Sequence, residues 1–219
     1  MSDPERASGR DPVRRPGSAR YGWIAVVAGL AIVAYITLNT LSTRGPGSRG
    51  PAPGSRLPAF AAPIATSDLS GDANVAPRAG AGARVAACSV RDPRALNSCE
   101  LAARRPAVLA FFATPAADCR AQLDTMQRVA ARNPGVAFAA VAIRGDRGAL
   151  RRLVRARGWT FPVAYDRDGA VANLYGIAVC PTVVFVRAGG RVADVTLGDG
   201  TLATGRLERD VRRLSAGRP

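Results

Sequence analysis

Two uninterrupted apolar runs, "AVLAFFA" (107–113) and "VAFAAVAI" (136–143), flank a segment with helical spacing, and together they leave this chain few folds to adopt. A strand that is apolar at every position must be covered on both faces, because a half-exposed strand alternates. Between the runs, Cys119, Leu123, Met126 and Ala130 recur at the spacing of one helix face. Thr114 is expected to cap that helix, with Pro115 at its first position, where a missing N–H costs little. "NPG" (133–135) ends it. A strand, a helix and a second buried strand make a right-handed crossover in a parallel sheet. Further on, Leu150, Leu153 and Val154 oppose Arg151, Arg152 and Arg155 on a helix expected near 147–157. "FPVAYD" (161–166) reads as a short strand and "DGAVANLYGI" (168–177) as a short helix. "TVVFV", "AGG" and "RVADVTL" form a strand, a turn and a strand ending near Leu197. A last amphipathic helix carries Leu202, Leu207, Val211 and Leu214. The fold class is α/β.

Composition narrows the chemistry. Histidine is absent from all 219 residues, which removes Ser-His-Asp and Cys-His nucleophile systems, imidazole metal sites and histidine-held haem. All 31 basic residues are arginine, against 16 acids, for a net charge of +15. A basic surface can attract nucleic acid or anionic lipid. However, no aromatic residues interleave with the arginines and no nucleic-acid motif is present, so no nucleic-acid partner is expected. Arginine without lysine reads as a compositional bias, and the arginine-rich helix faces read as solvated surface. The four cysteines, at 88, 99, 119 and 180, include no CxxC and fit no zinc ribbon or finger. No metal and no cofactor are expected.

The N-terminal quarter is built differently. Residues 1–20, rich in Arg, Ser, Gly, Pro and Asp, are expected to be a disordered cytoplasmic tail. From 21 to 43 the chain carries no charge, and its apolar part matches the ~20 residues of a membrane-crossing helix. Tyr21 and Trp23 fall where an interfacial aromatic belt would sit. The stretch after it, "TLNTLSTRG", offers no small-x-small cleavage site, so an uncleaved single-pass anchor is expected. Five arginines precede the span, while Arg44, Arg49 and Arg56 follow it. That balance favours a cytoplasmic N-terminus and a body outside the cytoplasm, where disulfides persist. "RGPGSRGPAPGSR" (44–56) reads as a Pro/Gly/Ser linker, and the folded domain is expected over 57–216. Residues 57–77, with a Ser-Gly-Asp turn, are compatible with a hairpin.

Three segments carry a family resemblance: "LAFFATPAADCRAQLDTM" (109–126), "FPVAYDRDGAVANLYGIAVCPTVVFV" (161–186) and "AGGRVADVTLG" (188–198). Over 57–214 the chain resembles the membrane-anchored, extracytoplasmic redoxins of the thioredoxin-like superfamily. The second segment carries a Tyr-Gly-Ile, then Cys-Pro-Thr and a buried strand, nearly position for position. The resemblance implies a thioredoxin-like mixed sheet flanked by helices and a cis bond between Cys180 and Pro181. It also implies a groove at Pro181 and Thr182, beside Thr114 and Pro115, that offers its backbone to an extended peptide. One departure is large. The family's attacking cysteine falls on Ala116, and only Cys119 of its dithiol remains. A peroxiredoxin pattern is missing too, since Pro115 lies four residues and Thr114 five residues before Cys119.

Cys88 and Cys99 bracket "CSVRDPRALNSC" just before the first core strand. They read as a structural disulfide worth about 3 kcal/mol in the chain-entropy account, or as two buried apolar side chains. The resemblance puts Cys119 on the active-site helix and Cys180 directly before the cis-proline, across one cleft. They would be a redistributed catalytic pair, a static disulfide, or two unpaired thiols. The chain is therefore expected to be a thiol–disulfide oxidoreductase acting on protein thiols or disulfides through Cys119 and Cys180. The alternatives are a non-catalytic module that holds an extended peptide and a thiol peroxidase.

Overall fold

The computed structural model describes residues 19–42, 49–80 and 85–217. The chain divides into two units, residues 1–44 and 45–219. In the first, α1 (Ala19–Ser42) is a 24-residue helix. Its described side chains run from 22 to 37, and all of them are exposed, including Trp23, Leu30 and Tyr35. Among the described residues no helix is long and apolar enough to cross a membrane. The expected tail, residues 1–20, falls almost wholly outside the described residues.

In the second unit the two apolar runs become neighbouring strands. β1 (Ala61–Pro63), β2 (Ala95–Asn97) and the short α2 (Ser98–Leu101) lead into β3 (Ala107–Ala113). Next come α3 (Ala117–Arg132), β4 (Ala137–Arg144), α4 (Arg147–Arg157), β5 (Val163–Tyr165) and α5 (Ala170–Tyr175). β6 (Thr182–Arg187), β7 (Arg191–Leu197) and α6 (Thr204–Ser215) close the chain. The five main strands order as β5-β4-β3-β6-β7; β3, β4 and β5 run parallel, while β6 is antiparallel to β3 and β7 to β6. This is the mixed sheet that the resemblance implies.

Successive strand residues face opposite ways, so the sheet separates two apolar layers. Val108, Ala110, Phe112, Phe138, Val183 and Phe185 pack with Leu123, Met126 and Val129 of α3, Leu150 of α4, and Leu207 and Val211 of α6. Leu109, Phe111, Val141, Val184 and Val186 pack on the other side with Phe60, Leu96, Val171 and Tyr175. Burial pushes the Tyr175 hydroxyl well above its ordinary pKa, and the hydroxyl donates to Pro58 O at 2.7 Å.

Two expectations about the start of the domain need correction. Residues 49–56 are not a free linker. Gly54 N donates to Val192 O, Val192 N to Ser55 O, and Leu57 N to Gly190 O, each within 2.9 Å. Pro51 is buried, and Gly50 (φ +78°) lies close enough to Val195 that a β-carbon would stand 2.9 Å from its Cγ1. The arm is held by β7, through pairings that lie far away in sequence. The hairpin over 57–77 reduces to one bridge, Ala61 with Asn74; the strand partner of β1 is β2, with Ala61 opposite Asn97. At the opposite margin Ala65 N donates to Val163 O at 2.8 Å, and Ile64 bridges to Ala164.

Candidate active site

The site forms at the carboxyl end of β3, where open α/β sheets bind ligands. The β3–β4 register shifts between Phe112 and Ala113, so that Ala113 pairs with Arg144 and Thr114 N donates to Arg144 O at 3.0 Å. That bond holds Thr114 to β4. Thr114 is therefore not the helix cap expected from its sequence position. α3 begins three residues later, at Ala117, with Ala116 at its N-cap, and Pro115 is exposed in the preceding turn. The Thr114 hydroxyl is buried without a partner. Gly145 (φ +116°) passes so close that a β-carbon there would stand 2.6 Å from Thr114 Cβ. Arg120 reaches back from the first turn of α3 and donates from Nη1 to Thr114 O at 2.7 Å.

Cys119, in the third position of α3, is 5% exposed and packs in the layer with Leu123. The loop that meets it precedes β6. The Cys180–Pro181 peptide is cis. Thr182 Oγ1 donates to Val179 O at 2.7 Å, and Gly198 N donates to Pro181 O at 2.9 Å, which ties this loop to the end of β7. Cys119 and Cys180 are joined in a disulfide, with their Cα atoms 6.1 Å apart. Cys180 is half-buried, and its Sγ accepts the Ala113 N–H at 3.3 Å. The structure thus brings Thr114, Pro115, Cys119, Cys180, Pro181 and Thr182 to one corner.

The other two cysteines lie elsewhere. Cys88, in the 3-10 turn Ala87–Ser89, is bonded to Cys99 in α2, with Cα atoms 5.5 Å apart. Asn97 organises this loop: its side chain accepts from Cys99 N and donates to Ala87 O and Val90 O. Among the described residues no group of three or more His, Cys, Asp or Glu side chains comes together as a metal site.

The model of the AhpC/TSA family matches residues 81–195, a span that starts ahead of Cys88 and runs past Cys180. The chain belongs to the AhpC/TSA family. Among curated proteins this AhpC/TSA chain is similar to the soluble secreted antigen MPT53 of Mycobacterium tuberculosis, at 31% identity over 51% of this chain and 65% of the relative. It is also similar to the thiol-disulfide oxidoreductase ResA of Oceanobacillus iheyensis, at 32% identity over 46% of this chain and 53% of the relative. The chain thus spans less than two thirds of the length of either relative. A solved structure of MTB DsbF, in mixed oxidised and reduced forms, superposes with a TM-score of 0.50 at 30% identity, covering 55% of this chain and 87% of that one. These likenesses agree with the mixed sheet in giving a thioredoxin-like redoxin domain.

Three parts of this corner are not signalled by the sequence. Ala113 contributes only its backbone amide, Gly145 only the space it leaves, and Arg120 a bond to a main-chain oxygen. None of these depends on a side-chain type that a motif would display; only the positive-φ preference of glycine at position 145 was open to notice.

Proposed function

We propose that this chain is a membrane-tethered thiol–disulfide oxidoreductase whose redox pair is Cys119 and Cys180. The observation that carries the reading is the bond between these two sulfurs at the carboxyl end of β3, in the corner made by the first turn of α3 and the cis-proline loop. Disulfides exchange by attack of a thiolate on a sulfur through a mixed disulfide. A pair drawn from two different elements can do this as well as a CxxC, provided one sulfur is accessible. Protein thiols or disulfides presented on extended segments are the substrates, and the relatives named as a thiol-disulfide oxidoreductase and a secreted antigen support a place outside the cytoplasm. Cys88–Cys99 serves as a structural bridge, since it lies away from the cis-proline loop and braces the loop that carries β2.

The purified chain is expected to oxidise a dithiol peptide stoichiometrically and to lose this ability in both Cys119→Ser and Cys180→Ser. If a wild type with both disulfides intact leaves the peptide reduced, the non-catalytic peptide-holding module is the correct reading. The tether rests on α1, whose described apolar side chains are exposed on every face and which lies largely within the uncharged run 21–43. Protease added outside intact cells is expected to cut ahead of Arg49 and release the folded domain. A domain protected until the cells are permeabilised would reverse the assigned orientation.

A further inference from the structure

We propose that Cys180 is the sulfur that exchanges with substrate, that Cys119 is the leaving sulfur, and that Val179 forms an apolar lip favouring substrate cysteines flanked by apolar residues. The assignment rests on the oxidoreductase reading above and deepens it. It gives the attacking role, vacant at Ala116, to a residue of the cis-proline loop.

Accessibility is the first argument. Cys119 lies 5% exposed against the apolar layer, whereas Cys180 is half-buried and follows Ala178 and Val179, both exposed. An incoming thiolate must approach along the S–S axis from outside, and Cys180 is the more exposed of the two residues. The second argument is charge. The Ala113 N–H pointing at Cys180 Sγ stabilises a thiolate there, because a hydrogen bond to the charged form favours it. Cys119, in the first turn of α3, sits near amides that lack intrahelical partners, which suits it to hold charge when it leaves.

The third argument concerns the surface. Outside α1, the large apolar side chains exposed among the described residues are Val85, Val179 and Leu197. One of the three, Val179, directly precedes the disulfide-bonded Cys180. Its Cγ1 lies 3.9 Å from where a β-carbon on Gly198 would stand, whereas Leu197 pairs with Thr182 on the sheet face opposite the layer of Cys119. An exposed valine next to the more exposed sulfur is a contact point for an apolar neighbour of the substrate cysteine.

The exchange then runs in two balanced steps. A substrate thiolate attacks Cys180 Sγ; the new S–S bond forms as the Cys119–Cys180 bond breaks, and the electron pair leaves on Cys119. The second substrate thiolate attacks the substrate sulfur of this mixed disulfide, and Cys180 leaves as a thiolate. The substrate dithiol is oxidised to a disulfide, the protein disulfide is reduced to a dithiol, and the two protons come from the substrate thiols.

Two measurements on the full chain test this, with wild-type oxidation of a dithiol peptide as the control for the underlying reading. With oxidised glutathione, Cys119→Ser should form a mixed disulfide at Cys180, while Cys180→Ser should react at Cys119 at least about tenfold more slowly. Limited alkylation of the reduced wild type, mapped by peptide mass, should label Cys180 first and needs no substitution. Wild-type peptide oxidation combined with equal or faster reaction at Cys119 overturns the assignment alone. No oxidation by the wild type overturns the oxidoreductase reading and the assignment with it. Peptides with leucine beside the cysteines should be oxidised severalfold faster than glycine versions, and Val179→Ser should reduce that ratio; an unchanged ratio removes the apolar lip.

Discussion

Gly145 shows how much of this site depends on a single missing β-carbon. Its φ of +116° is a conformation that L side chains rarely adopt, and the space beside it is filled by Thr114. Gly145→Ala should therefore cost about 1–3 kcal/mol and also slow peptide oxidation, because Thr114 leads directly into the turn before Cys119. Denaturant unfolding and a single-turnover assay on the same variant check both halves; a stable variant with normal exchange would show that Thr114 can move freely. Asp166 is a second informative residue. Burial holds its carboxyl above the ordinary value of 3.8, although its oxygens accept the Val171 and Ala172 amides at 3.1 and 2.8 Å. Because the folded state binds the proton more tightly than the unfolded state, this group makes stability fall as pH rises from about 3.8 through the folded pKa, with no further change above it. Asp166→Asn should flatten that part of the stability profile. A profile of unchanged slope would mean that other carboxyls govern it.

At the scale of elements, α3 and α4 are joined by polar side chains as well as by the core. Asp124 of α3 accepts the Trp159 indole N–H at 2.8 Å and Arg157 at 2.5 Å, and Gln127 accepts Thr160 N at 2.8 Å. Asp124→Ala leaves the indole N–H of a nearly buried ring without a partner, so a loss of about 1–3 kcal/mol is expected in thermal or denaturant unfolding. A shift near zero would mean that water replaces the carboxylate. The same elements show what was legible in the sequence. β3, β4 and α3 could be read because each announces its burial in its own residues, through continuous apolar runs and a helical stripe. The cap of α3 was misread because Thr114 is claimed by Arg144 O, thirty positions away. β2 escaped notice because three residues of mixed character become a strand only when β1 is beside them. The corner holding Cys119 and Cys180 was reachable only through the resemblance, since residue spacing alone allows three pairings among four cysteines.

For the whole folded unit, the first residues matter more than their composition suggests. A Pro/Gly/Ser-rich stretch is normally a spacer, yet residues 54–57 are hydrogen-bonded to 190–192 at the start of β7, and residues 64–65 pair with β5 at the other side of the sheet. Nothing in "RGPAPGSR" distinguishes an arm from a tether, because its bonds run through main-chain groups whose partners lie over a hundred residues away. The consequence is protection from self-association. A sheet whose outermost strands present unpaired amides and carbonyls is a template on which another copy can add, and here residues 54–65 cover part of each. A version beginning at Leu57, the boundary that composition suggests, would uncover the start of β7 while leaving the cysteines and the core intact. It should still fold and carry both disulfides, but light scattering should show concentration-dependent assembly that a version beginning at Arg49 lacks. If both versions stay monomeric at the same concentration, the arm is not what keeps these molecules apart.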